Sequence, residues 1–540
     1  MEGDHNLEKI QIKNVRSLGD TGVVPLSPIT LLVGENSSGK STFLRTFPLI
    51  KQSISKRTDG PLLWAGDADD YVDFGSFSET VTNNGSSSIV FDFDFRTDCI
   101  IASMPYSVRN ELFRVGFNKD DSVFYSITIE QKDGHEYISK LYVRLNQTLF
   151  EFTLEPEPLR GKAVVDGIPV FESKHKKKAF LYSGLGTFYF ERSVFGFVLP
   201  PIAEMTRKLL KSFEEELLMD VSDVDESDEY MRQRYYSRIE NVIHIFGALL
   251  CKGMSLEEIM PLGNRMKSKI ITPQFSNIIE KLSTMRQEEQ NALIQQFKLM
   301  AFYDAFSKID NYLDTYFRQV HYIAPLRATA ERYYRLRNLA IDEVDYQGKN
   351  LPIFLSGLSE TRLKSFQDWT QKYFDFKVFV DKRGGHLSVK VALQTGNGIN
   401  LSDTGFGYSQ ILPIITQIWD LSTEGRIGKN ESIPLVIAIE QPELHLHPAL
   451  QAKLAEAFIA SIQLAKEYGY QLQLLLETHS ETIVNYFGRA IARGSLRKED
   501  TSVILFNKDE TTSLSTVKTT SYDKDGYLLN WPIGFFAPER

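Results

Sequence analysis

Hydrophobic and polar positions follow three different rhythms along the chain. Residues 7–15 (LEKIQIKNV) and 29–33 (ITLLV) carry strand chemistry, and 88–95 (SIVFDFDF) alternates apolar and polar as a half-buried strand does. Further alternation at 122–130 and 137–153 makes the first 150 residues strand-rich, with the look of antiparallel decoration. Between 200 and 320 the period becomes helical in IAEMTRKLLKSFEEELL, SRIENVIHIFGALL, FSNIIEKL and NALIQQFKLMAFYDAFSKIDNYLDTYF. Inside that block, 220–230 (DVSDVDESDEY) is acidic and reads as a loop. From 320 onward strand and helix signals alternate. Residues 434–439 (PLVIAI) and 471–476 (QLQLLL) are short apolar runs that end in polar residues, the pattern of buried parallel strands whose ends carry function. The expected architecture is one α/β core in two lobes, 1–155 and 321–540, interrupted by a mainly helical insertion at 156–320.

Composition narrows the class. The 540 residues are 42% hydrophobic and 24% charged, ordinary for globular chains, and allow two to four domains or lobes. Two cysteines far apart, Cys99 and Cys251, give neither a disulfide framework nor a zinc cluster and fit a reducing, cytoplasmic setting. The opening MEGDHNLEKI lacks the apolar core of a signal peptide, and no run of about 18 apolar residues predicts a membrane span. A net charge of −9 argues against a surface coated in nucleic acid but leaves a local basic groove open.

ITLLVGENSSGKST is the most specific signal. Gly34, Gly39, Lys40 and Ser41 fill the G-x-x-x-x-G-K-[ST] template between an apolar strand and a helix start. The loop Gly34, Glu35, Asn36, Ser37, Ser38, Gly39, Lys40, Ser41 and Thr42 is therefore the expected ATP phosphate cradle. Its glycines let backbone N–H groups approach, and the helix N-terminus adds positive charge. Lys40 should reach the β- and γ-phosphates and Ser41 should ligate Mg2+. Pro48 is expected to shorten or kink the helix that follows.

PLVIAIEQPELHLHP puts Glu440 at a strand end, where a carboxylate holds Mg2+ beside phosphates. Gln441 follows; its amide orients water but cannot act as a base, and Glu443 is the nearest carboxylate for that role. His445 and His447 form a pair that fits a metal site, a structural turn or a dimer contact. QLQLLLETHSETIV ends a second strand with Glu477, Thr478, His479 and Ser480; a neutral His479 there suits donation to a γ-phosphate. LSDTGFGYSQILPII sets Gly405, Gly407, Ser409 and Gln410 before an apolar helix, with Ser409 as the expected N-cap and the tip as an anion site.

These four segments, in this order and with Lys40 and Glu440 several hundred residues apart, resemble the ABC-like ATPase superfamily of SMC, RecF and OLD proteins. IEQPELHLHPALQAKL, ETHSE, DTGFGYSQILPI, HYIAPLRATAERYY and GYLLNWPIGFFAPE are similar to a bacterial OLD-like ATPase family that includes the Septu-type defence ATPases (PtuA), some in retron-linked loci. The likeness covers the first 50 residues and most of 320–540. It implies an ABC-ATPase-like head in which two subunits enclose two ATP molecules, Gly407 and Ser409 of one reaching the γ-phosphate held by Lys40 of the other. It also implies that Asp73, Phe74 and Gly75 sense nucleotide. Arg327 and Arg332 would line the site or the dimer, or else form surface pairs. Gln441, where the superfamily commonly has a catalytic glutamate, implies slow hydrolysis.

OLD nucleases append a Toprim domain, but the stretch after His479, with Asp500, Asp509, Asp523 and Asp525, shows no trusted Toprim pattern. The expectation is no intrinsic nuclease: a partner nuclease, with or without a reverse transcriptase and its nucleic-acid product, would cut. The basic run Lys174, His175, Lys176, Lys177 and Lys178 reads as a solvated loop or a phosphate contact. Arg335 and Arg337 with Tyr333 and Tyr334 mix chemistry that suits single strands or an interface. The leading expectation is a homodimeric or larger regulatory ATPase of an antiphage complex, docking its partner through the insertion. The alternatives are a stand-alone RecF-like DNA-maintenance ATPase and a non-hydrolysing nucleotide-gated scaffold.

Overall fold

Where apolar and polar residues alternate at 88–95, 122–130 and 137–153, the backbone is extended and paired. The computed structural model describes residues 7–56, 58–67, 70–82, 86–98, 121–156, 159–174, 243, 245–265, 271–336, 341–393, 398–423 and 433–530. The helical segment 202–218, the acidic segment 220–230, the basic residues 175–178, Cys99, Arg337 and the closing residues 531–540 lie outside the described residues. The chain forms two compact units, one from 1–8, 53–63 and 86–315, the other from 9–52, 64–85 and 316–540.

In the first unit, Ser88–Thr97, Asp121–Lys132, His135–Leu145, Thr148–Pro156, Leu159–Val165 and Ile168–Lys174 pair in sequence order as an antiparallel meander. The alternating segment 137–153 is thus two strands, turned at Asn146 in the left-handed region (φ 56°). The start of the predicted helical insertion is a further hairpin. Asp166 (φ 49°) and Gly167 (φ 80°) turn it, as Asp133 and Gly134 turn the one before; Asp-Gly is the pair that a two-residue hairpin turn favours. One face of the meander buries Phe91, Phe93, Phe95, Tyr125, Phe150 and Phe152. The helix Gln287–Arg318 packs on that face, stacking Phe302 on Phe150 at 4.1 Å and Tyr312 on Phe95 at 4.7 Å.

The second unit is built on a six-stranded sheet. Its order is Val320–Ile323, Leu435–Glu440, Leu472–Glu477, Ile29–Gly34, Thr501–Lys508 and Ser515–Thr520, all parallel except the last. Both faces are covered, which is why Leu435–Glu440 and Leu472–Glu477 are apolar throughout rather than alternating. The helix Phe406–Ser422 is buried continuously from Ser409 to Ser422, as its nearly uninterrupted apolar sequence requires. A smaller antiparallel sheet joins Tyr334–Arg335, His386–Leu393, Phe376–Arg383 and Ile399–Asn400. The fold is α/β with antiparallel decoration, as the hydrophobic pattern predicts.

Pro48 does not shorten its helix, which runs Lys40–Ser55. Proline forfeits one backbone hydrogen bond, but Phe43, Leu44, Phe47 and Ile50 are all essentially inaccessible, and that burial outweighs the loss. The helix Glu481–Ala492 carries a glycine for a packing reason. A Cβ on Gly488 would lie 2.2 Å from the backbone oxygen of Gly526, which itself has φ 81°. Tyr522 secures the same contact by donating its hydroxyl to Val484 O at 2.8 Å. Gly488→Ala is therefore expected to destabilise the chain by roughly 1–3 kcal/mol, checked by urea unfolding, whereas Gly494→Ala meets no neighbouring atom and pays only the strain of its positive φ.

Candidate nucleotide site

The parallel register fixes the site. Glu440 is the partner of Glu477, and Glu477 of Leu32 two residues before Gly34, so three strands end together at the phosphate loop. Gly34 faces the backbone: a Cβ there would lie 2.1 Å from Phe506 O on the neighbouring strand. Gly39 has φ 97° and is closed in by Ser17, Leu18 and Ser515. Glu35, Asn36 and Ser37 are exposed, Ser37 with φ 58°, while Ser38 is buried and donates to Glu35 O at 2.8 Å. Lys40 is folded back and donates to Gly34 O at 3.0 Å and Glu35 O at 2.6 Å. Burial lowers its pKa, against the pull of Glu477, Glu443 and Glu35. Thr42, half-buried, accepts from Thr46 at 3.0 Å through its carbonyl.

Ser41 and Arg45 are four apart on one helix and so share a face. Ser41 donates to Glu477 Oε1 at 2.8 Å. Arg45 grips Glu440 with two bonds, Nε to Oε1 at 2.6 Å and Nη2 to Oε2 at 2.8 Å, and Tyr322 donates to Glu440 Oε1 at 2.7 Å. Both oxygens of Glu440 are thus engaged, while the buried Oε2 of Glu477 has no hydrogen-bond partner among the described residues. Burial, then the charge of Glu440, pushes the Glu477 carboxyl up to about 7. Glu477, Arg45 and Tyr322 were not singled out from the sequence as site residues. Glu477 had a visible signal, its place at a strand end; Arg45 and Tyr322 had none beyond proximity to a motif.

The turn after Glu440 is held from several sides. Gln441, at φ 44°, donates its N–H to Glu477 O at 2.8 Å. Arg327 is buried and donates from Nη2 to Glu440 O at 2.8 Å and Gln441 O at 3.3 Å; its Nε and Nη1 have no hydrogen-bond partner among the described residues, and burial pulls its pKa down to about 10. Glu443 accepts from Thr478 Oγ1 at 2.8 Å and from His479 N at 2.7 Å, and burial raises its pKa. His479 is exposed overall, and partial burial, then the charge of Lys40, lowers its pKa, which favours the neutral imidazole.

Other predicted residues sort differently. Ser409 is not the N-cap: the helix starts at Phe406 behind Gly405, and Ser409, one turn in and buried, donates to Phe406 O at 2.7 Å. The Gly-x-Gly spacing lets the helix begin earlier than the serine suggested. Gln410 donates to Arg327 O at 3.4 Å, and Gly407 lies against His445 O. The His445 ring meets Phe406 edge-on at 4.9 Å, and His447 caps the helix Pro448–Glu467 by accepting from Ala449 N. Among the described residues no group of three or more His, Cys, Asp or Glu is placed to hold a metal. Arg332 forms an exposed pair with Asp403, unlike Arg327. Arg16 lies 4.3 Å over Phe74 and donates to Asp73 O at 3.3 Å; Asp73 in turn accepts from Gly75 N. Asp500 pairs with Arg497, and Asp509 and Asp523 cap turns.

The residues fit a magnesium nucleotide. Mg2+ is usually held by one or two carboxylates with the phosphates, not by an all-protein cage, and Glu477 presents a buried oxygen still lacking a partner beside the Ser41 hydroxyl.

The family model described as AAA ATPase domain matches residues 6–484. No curated protein matches. Among solved structures the chain is similar to the Smc head domain with an extended coiled coil bound to the C-terminal domain of ScpA from Pyrococcus furiosus (12% identity, 95% of this chain and 96% of that chain, TM-score 0.33). It is also similar to the Smc head domain with a coiled coil and joint from Pyrococcus yayanosii (12%, 96% and 97%, 0.33). The SMC head domain from Thermotoga maritima is a third (10%, 95% and 98%, 0.32).

Glu477 makes stability depend on pH. Its folded pKa exceeds the unfolded value of 4.5, so its ionised form costs stability fully above about 7, and the cost disappears as pH falls toward 4.5. Without nucleotide or divalent cation, Glu477→Gln should stabilise the chain at pH 8 by on the order of 3 kcal/mol and by little at pH 4.5. Paired thermal unfolding curves across pH check this.

Proposed function

The chain belongs to the AAA ATPase domain family, and from that premise we propose that it is an ATP-driven regulatory subunit that dimerises around nucleotide and controls a partner nuclease in antiphage defence. The observation that carries the ATPase reading is the convergence of Lys40, Ser41, Glu440, Glu477 and His479 at the ends of three parallel strands. In this proposal the backbone of 34–42 and Lys40 bind the phosphates, and Ser41 with a strand-end carboxylate holds Mg2+. When bound, that cation neutralises charge developing on the transferred phosphoryl group. His479, neutral, would donate to the γ-phosphate.

Slow hydrolysis is part of the same reading. Gln441 cannot take a proton, and Glu443 already accepts from Thr478 and His479 N. The exposed tip at Gly405 and Phe406, with Gly407 above the buried Ser409 and Gln410, would complete the site of a second subunit. The defence role, the partner nuclease and a retron-linked reverse transcriptase with its nucleic-acid product rest on the resemblance of IEQPELHLHP, DTGFGYSQILPI and ETHSE. Residues 156–320 are the proposed docking segment, between lobes at 1–155 and 321–540. A cytoplasmic setting is proposed as well; among the described residues no helix is long and apolar enough to cross a membrane.

Lys40→Ala should weaken ATP binding roughly 10- to 100-fold, measured by equilibrium dialysis. Gln441→Glu should raise steady-state turnover; brisk turnover in the wild type would refute the restrained-hydrolysis reading. Gentle purification from the native host with ATP and Mg2+ should recover a nuclease. Recovery alone or with bulk chromosomal DNA would favour the RecF-like alternative.

A further inference from the structure

The two strand-end carboxylates are chemically unequal. They are register partners on adjacent parallel strands, so they reach the same end of the sheet about 5 Å apart at the backbone. Glu440 is already engaged at both oxygens. Its Oε1 takes bonds from Arg45 Nε and Tyr322, and its Oε2 takes one from Arg45 Nη2. A bidentate guanidinium–carboxylate pair is among the strongest side-chain contacts, so another cation at these oxygens would have to share them with Arg45. Glu477 is open. Among the described residues one oxygen accepts only the neutral Ser41 hydroxyl, and the other, buried with the residue 2% exposed, accepts nothing. A buried carboxylate oxygen without a partner is costly unless a cation or donor completes it. The Ser41 geometry agrees: a hydroxyl that gives its proton to Glu477 keeps its lone pairs free for a cation.

We propose that Glu477, rather than Glu440, is the carboxylate through which this chain meets the divalent cation of its bound nucleotide, and that Glu440 instead positions the phosphate-loop helix through Arg45. The assignment rests on the nucleotide reading above and deepens it. Glu477 and Ser41 form the cation side of the site; Glu440, Arg45 and Tyr322 form a rigid brace beside it. Removing the Glu477 charge therefore removes the cation's contribution to nucleotide affinity without weakening the cation-free affinity, because a negative charge beside the phosphates is lost. Removing the Glu440 charge loosens the brace and changes affinity alike with and without the cation.

The experiment is a titration of the full chain with mant-ATP, in Mg2+ and in EDTA, for the wild type, Glu477→Gln, Glu477→Asp and Glu440→Gln, each first checked by thermal unfolding. The wild type should bind more tightly in Mg2+. Glu477→Gln should lose most of that gain, about tenfold or more, with an EDTA affinity no weaker than that of the wild type. Glu477→Asp should recover part of the gain, and Glu440→Gln should keep it. Mn2+ paramagnetic resonance should report the same order for the nucleotide-bound cation. The assignment is overturned if Glu477→Gln keeps the full Mg2+ gain, or if Glu440→Gln loses as much of it. If the wild type binds mant-ATP in neither condition, the nucleotide reading falls and the assignment with it.

Discussion

Two glutamates end adjacent parallel strands in register, and the buried space they share governs how this end of the sheet is built. Like charges so close, out of water, are tolerated only when each is answered by a specific partner. The helix Lys40–Ser55 answers both. Ser41 reaches Glu477 and Arg45, four residues later on the same face, reaches Glu440. One helix thus holds two strand ends, and the phosphate loop between strand and helix inherits its geometry from those contacts. The distribution is uneven: the strong cation goes to Glu440 and the weak hydroxyl to Glu477. That asymmetry leaves one carboxylate oxygen to be satisfied by something the chain itself does not supply.

Arg327 extends the arrangement toward the glycine-rich helix. Its guanidinium holds the carbonyls of Glu440 and Gln441, and its own carbonyl accepts from Gln410. Gly407 rests against His445 O, where a larger residue would have to push the following turn away. The tip of that helix and the turn after Glu440 are therefore joined by direct contacts at two points. The two are thus coupled by one hydrogen bond and one close backbone approach rather than across open space.

Much of this was legible in the sequence because its signals are local. The phosphate-loop template, the two apolar runs ending at Glu440 and Glu477, and the alternation of 88–95 each describe a few neighbouring residues whose period fixes the strand. What stayed hidden depends on register. Nothing near Arg45 or Tyr322 in the sequence marks them as partners of Glu440, because the pairing is created by strands brought together from distant parts of the chain. Ser409 misled for the opposite reason. As a strong capping residue it outweighed Gly405, whose two-residue spacing to Gly407 starts the helix a turn earlier. The hairpin at Asp166-Gly167 carried a clear turn signal that the helical period of the following block obscured.

Gln441 is best understood from the same electrostatics. It stands in the left-handed region, a conformation that costs a non-glycine residue about 1–3 kcal/mol, and it is kept there by its N–H on Glu477 O and by Arg327 on its carbonyl. Glu440, Glu443 and Glu477 already crowd this turn, and burial raises the pKa of the last two. An acid at 441 would add a further negative charge to a region where Arg45 pairs with Glu440, Lys40 holds the loop carbonyls and Arg327 holds the carbonyls of Glu440 and Gln441. An amide keeps the shape and the capacity to orient water without that charge.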